Sequence, residues 1–180
     1  MRAYSEVNVM QEYLEKPPVG VFAKLISSMS KKMPADLEIM LPKRLFLKGE
    51  LITETISQEI EKSFCQSDLV DLLTKELLAY YSLNTNPLKL YRTFKEISSS
   101  FMVTRHYDEG KENLVPVTIR LSKKDIFKLE MLVADIEEVQ GETDLTVERL
   151  LELQYLNFMI DLLQGNNEDA IQRIIRSYLS

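Results

Sequence analysis

With 180 residues, 45% hydrophobic and 28% charged, the chain is long enough to bury a core without disulfides and too apolar for a disordered segment. A single cysteine, Cys65, and a single histidine, His106, exclude disulfide frameworks and zinc sites built from those two ligands. The net charge of -6 works against polyanion binding at long range, and the acidic excess lies C-terminal: -1 through Asn113 and -5 from Leu114 onward.

In chain order, Val7, Met10 and Leu14 predict a helix from about Glu6 to Glu15, stopped by Pro17-Pro18. From Val19 to Lys32 the stripe Phe22, Leu25, Ile26 and Met29 predicts a second helix. Leu37-Met40 reads as a short strand ended by Pro42, with Leu45-Leu47 and Leu51-Ile52 as alternative extended pieces around Gly49. Thr55 and Gln58 form a capping-box pattern, and Ile56, Ile60 and Phe64 carry that helix to about Phe64. Ser67-Asp68 caps the next helix, whose core face is Leu69, Leu72, Leu73, Leu77 and Tyr81. After the Asn84-Pro87 turn, Leu88, Tyr91, Phe94 and Ile97 point a further helix inward.

The period then changes. Phe101-Tyr107 and Val115-Leu121 both alternate around the turn-forming residues Asp108-Asn113, which predicts a hairpin with Pro116 at an edge. Ser122 with Asp125 caps a helix that buries Ile126, Leu129, Leu132, Val133 and Ile136 and runs to about Val139. The helix from Val147 to Gln164 is apolar except for a narrow stripe of Gln154, Asn157, Asp161 and Gln164, so it needs neighbours on several sides. Gly165 ends it, and Asn167 caps a last helix with Ile171, Ile174, Ile175, Tyr178 and Leu179 on one face. The expected fold is mainly α, a multi-helix bundle with one small β-hairpin or ribbon near residues 101–121, with α+β as the alternative. Residues 1–100 form a helical N-terminal part and 101–180 a ribbon plus three helices, or both merge into one compact domain.

Chemistry is sparse. The five isolated glycines offer no phosphate-cradling loop, and the carboxylates lack calcium-loop spacing. No catalytic residue, metal ligand, cofactor or small-molecule substrate is expected. Met1-Glu6 turns polar where a signal peptide needs an apolar run, and Leu150-Leu163 is interrupted by polar residues, so a cytoplasmic location with no membrane partner is expected. The leading expectation is a non-catalytic protein-protein interaction or adaptor protein. Its final helix would offer Ile171, Ile174, Ile175 and Tyr178 to another protein or a second copy of the chain. Two basic clusters, Lys89-Lys95 and Lys31, Lys32, Lys43, Arg44 and Lys48, read first as solvated surfaces.

One constellation points elsewhere. Val117-Thr118-Ile119-Arg120-Leu121, the Ser122-capped helix and the second helix after Gly141 resemble the ribbon-helix-helix family of DNA-binding proteins, over about residues 116–163. The resemblance implies an intertwined homodimer whose paired strands enter the major groove. Thr118 and Arg120 would then face bases, Val117, Ile119 and Leu121 the core, and Lys123 and Lys124 the phosphates. It makes a DNA-binding regulator the alternative function.

Overall fold

The computed structural model describes residues 4–15, 33–83, 86–104, 114–165 and 167–179. The elements are α1 (Val9–Glu15), β1 (Pro34–Pro42), α2 (Lys43–Ile60), α3 (Gln66–Leu83), α4 (Pro87–Thr104), β2 (Leu114–Ser122), α5 (Lys123–Gln140), α6 (Val147–Leu163) and α7 (Asn167–Leu179). The expected class holds, helices around one small antiparallel ribbon. The ribbon's composition differs from the expected hairpin: β2 pairs with β1, eighty residues upstream, while Phe101–Thr104 continue α4 and residues 105–113 lie outside those described. The helix expected at Val19–Lys32 also falls outside them.

Alternation drives the ribbon. Leu37, Ile39 and Leu41 of β1 and Val117, Ile119 and Leu121 of β2 are all buried, while the residues between them face outward. Each buried aliphatic side chain contributes about 1.5–3 kcal/mol, enough to fix the register, because a one-residue slip of either strand would turn its three to solvent. Pairing runs from Pro34↔Ser122 to Pro42↔Leu114, with Glu38↔Thr118 at the centre. Pro116 fits because the backbone N–H groups of this parity point away from the partner strand. Met40 N donates to Glu152 Oε1 at 2.9 Å, and Arg120 N donates to Ser67 Oγ at 3.0 Å.

Each strand runs straight into an 18-residue helix. Leu45-Leu47 and Leu51-Ile52 are therefore helical, and Thr55 lies inside α2, its Oγ1 donating to Leu51 O, with the helix closing at Glu61 in the left-handed region. The four-residue spacing of Leu45, Gly49, Thr53 and the buried Ile52 and Ile56 outweighs the local strand character, since that stripe faces the core.

The order strand, helix, helix, helix occurs twice. β1, α2 and α4 start eighty residues before β2, α5 and α7, and α3 starts 81 before α6. The ribbon register obeys the same relation: Glu38 pairs with its own counterpart Thr118, as a two-fold axis through that pair demands. Identical residues recur at Ile39/Ile119, Leu41/Leu121, Lys43/Lys123, Lys48/Lys128, Glu50/Glu130 and Ile56/Ile136. The two units are intertwined. Helix α3 packs beneath β2 and α6 beneath β1, α3 and α6 pack on each other, α4 lies on α5 and α6, and α7 lies on α2, α3 and α6. The nearly all-apolar α6 thus gains neighbours on several sides, burying Leu150, Leu151, Leu153, Tyr155, Leu156, Phe158, Met159 and Leu162.

Two local arrangements lock this packing. At the α2–α6 crossing, the buried Tyr155 hydroxyl donates to Gln66 Oε1 at 3.1 Å, with Leu45 O at 3.3 Å as a second acceptor, and Gln66 Nε2 donates to Phe46 O. Burial pushes the Tyr155 pKa upward, so the hydroxyl stays a neutral donor. Gly49 makes room for it, since an added Cβ would lie 2.0 Å from Tyr155 Oη. At the other end, the fully buried Glu130 of α5 accepts from Ser5 Oγ, Val9 N and Met10 N, tying down the N-terminal segment and capping α1. In α1 Val9 is buried and Tyr13 packs against the core, edge-on to Phe127, while Leu14 is exposed.

Candidate nucleic-acid interface

The outward face of the ribbon carries Asp36, Glu38 and Met40 from β1 and Pro116, Thr118 and Arg120 from β2. Thr118 sits at the centre opposite Glu38, and Arg120 lies opposite Asp36. Arg120 Nε donates to Asp36 Oδ1 at 2.9 Å and Nη2 to Oδ2 at 3.4 Å. The hydrogen bond from Arg120 holds the Asp36 carboxyl below its ordinary pKa. Both side chains are solvent-exposed, so the pair orients more than it stabilises.

The ribbon spans nine residues, so the starts of α2 and α5 lie at its opposite ends, about 26 Å apart along the strands. Lys43 and Arg44 open α2, and Lys123 and Lys124 open α5. At the α5 start, Ser122 Oγ accepts from Asp125 N, and Lys123 N donates to Met33 O at 3.0 Å. Lys123 Nζ is drawn to Glu12 Oε2 of α1 at 3.1 Å and is only 24% exposed, so of the two lysines expected at phosphates it is the less accessible. Lys124, Lys43 and Arg44 are exposed. The ribbon and its two ends thus carry five cations, Lys43, Arg44, Arg120, Lys123 and Lys124, of which Arg120 is paired with Asp36 and Lys123 with Glu12, beside the carboxylates of Glu38 and Asp125.

The expected partner-binding residues lie elsewhere. Ile174 and Ile175 are buried in the chain's own core, Ile171 packs against it, and Tyr178 meets Phe64 edge-on at a ring-centroid distance of 5.2 Å. Apart from the exposed Leu179, the apolar stripe of α7 is thus packed against α2, α3 and α6. The polar stripe of α6 also has a place. Gln154, Asn157 and Asp161 line a cavity of about 380 Å³ between α3, α4, α6 and α7.

Asp36, Glu38 and Met40 were missed as site residues. The signal that reveals them is the match of Leu37-x-Ile39-x-Leu41-x-Lys43-Arg44 to Val117-x-Ile119-x-Leu121-x-Lys123-Lys124. Lys43 and Arg44 stand at the end of the ribbon opposite Lys124, whereas Lys48 lies one turn further along α2. Lys31, Lys32 and His106 fall outside the described residues. Among the described residues no helix is long and apolar enough to cross a membrane, and no group of three or more His, Cys, Asp or Glu side chains converges to hold a metal ion. Comparison with family models, curated proteins and solved structures gives no match.

Proposed function

We propose that this chain is a DNA-binding regulator of ribbon-helix-helix type in which both halves of the usual homodimer are carried by one polypeptide. The observation that carries the reading is the two-fold register of the ribbon, centred on Glu38↔Thr118, with a helix start bearing cations at each end. An antiparallel ribbon of this width fits a major groove about 12 Å across, and the flanking helix starts reach the phosphates on either side. The reading assigns Thr118 and Arg120 to the groove and Lys43, Arg44 and Lys124 to the backbone. The β2 edge that a second copy would have occupied is taken by β1, so no partner chain is required to complete the ribbon.

Fluorescence anisotropy with labelled duplexes at several salt concentrations tests it. Binding should weaken steeply with salt, and each of Lys43→Ala, Arg44→Ala and Lys124→Ala should lower the log–log slope by about 0.9. Absence of a complex at low salt refutes the reading. A second reading, a non-catalytic interaction or adaptor protein, draws on Leu47 and Leu51, which are 52% and 65% exposed one turn apart on α2. It expects a self-association or partner complex that Leu47→Ser/Leu51→Ser abolishes in sedimentation velocity, and a strictly monomeric chain with no loss of partner binding in that variant counts against it.

A further inference from the structure

A homodimeric ribbon presents the same residue on both sides of its axis, which is why such proteins read two-fold symmetric sites. This ribbon keeps the axis and loses the equality. Across the Glu38↔Thr118 centre, Asp36 corresponds to Pro116 and Arg120 to Met40. On one side the outward face offers a guanidinium, and on the other a thioether without a hydrogen-bond donor. Building on the DNA-binding reading above, we propose that the chain recognises a non-palindromic duplex site as a single polypeptide, with Arg120 reading one guanine and Asp36 positioning it.

The geometry supplies the division of labour. The Asp36 carboxylate engages the Nε and Nη2 edge of Arg120. Guanidinium has five donors in a rigid fork, so its far end, with both Nη groups, remains exposed and held in one plane. Guanine presents two acceptors, O6 and N7, at a spacing that such a fork matches, and no other base pair presents that pair in the major groove. Met40, at the equivalent place on the other half, is suited to apolar contact such as a thymine methyl. Glu38, on the axis, is an acceptor only, which suits a cytosine amino group and repels phosphate.

Charge and positioning make different predictions for discrimination in Asp36→Asn. If it only repelled DNA, Asp36→Asn would tighten binding to every sequence by the same factor. If it positions Arg120, the same change raises affinity for random DNA while lowering discrimination at one base pair. Selection of the full chain on a random duplex pool should return a consensus without two-fold symmetry, with one chain per duplex by native mass spectrometry. Arg120→Ala should relax preference at a single guanine by roughly 5- to 150-fold, and Asp36→Asn should relax the same position in part. Both side chains are exposed, so neither variant threatens the fold. A palindromic consensus, two chains per site, binding without any consensus, or unchanged discrimination in Asp36→Asn overturns this inference alone. Absence of any complex, with the variants folded by circular dichroism, overturns the DNA-binding reading and this inference with it.

Discussion

Replacing Gly49 with alanine tests the packing of the two units directly. In an exposed helix interior that change stabilises by about 1 kcal/mol. Here the new Cβ would lie 2.0 Å from Tyr155 Oη and 2.5 Å from Gln66 Nε2, where ordinary contact begins at 3.4 Å. The tyrosine and glutamine must both retreat, which disturbs the Tyr155–Gln66 and Gln66–Phe46 hydrogen bonds. Overpacking of this kind costs about 1–3 kcal/mol, and each disturbed hydrogen bond about 1 kcal/mol more. After subtracting the helix gain, Gly49→Ala should destabilise by about 2–4 kcal/mol. Urea unfolding followed by circular dichroism reads this as a lower midpoint at unchanged slope. Tyr155→Phe alone should also destabilise, by losing its donor to Gln66. In the double variant the missing oxygen leaves room for the Cβ, so the pair should cost less than the sum of the singles, by about 1 kcal/mol. Full relief is not expected, because Gln66 still crowds the site. A Gly49→Ala protein as stable as the parent, or strict additivity in the cycle, would refute the close approach of α2 and α6.

Other consequences reach different parts of the chain. Tyr81 of α3 donates to Asp135 of α5, and burial, followed by that hydrogen bond, pushes its pKa up to about 12. Because the folded value exceeds the unfolded value near 10, its contribution to stability is complete below pH 10 and lost as pH rises through 12. Tyr81→Phe should remove that alkaline component from urea midpoints measured across the window. Glu130→Gln replaces one of the two acceptor oxygens with a donor, so either Val9 N or Met10 N loses its acceptor, where bonds to a charged group are worth about 1.5–3 kcal/mol each. Hydrogen exchange should then accelerate over residues 4–15 with α3 and α6 unchanged, and uniform protection would argue against the docking of α1. Ile174→Ala should lower stability by about 2–5 kcal/mol, as a fully buried position requires, and a neutral result would return α7 to the surface as a docking face.

Much of the helical framework was legible in the sequence because it rests on local rules. Ser122 and Asp125 cap α5 as their spacing predicts, and Ile126 through Ile136 form its buried stripe. The all-round apolarity of α6 correctly demanded several neighbours. The alternation of Val117, Ile119 and Leu121 likewise determined which side chains of β2 face inward. Capping and period act within a few residues, so they survive without knowledge of the fold.

What alternation does not specify is the partner of a strand, since any strand of matching pattern and register satisfies the same hydrogen bonds. Phe101–Tyr107 lay close along the chain, but it was β1, eighty residues away, that the packing of α3 and α6 brought alongside β2. The same tertiary choice sent Ile174 and Tyr178 inward, drew Lys123 to Glu12, and set Asp36 against Arg120. Local sequence thus determined the helices, their caps and the faces of each strand. Only the intertwining of the two units decided which cations share a surface, because that depends on contacts between residues too far apart for any local rule to couple.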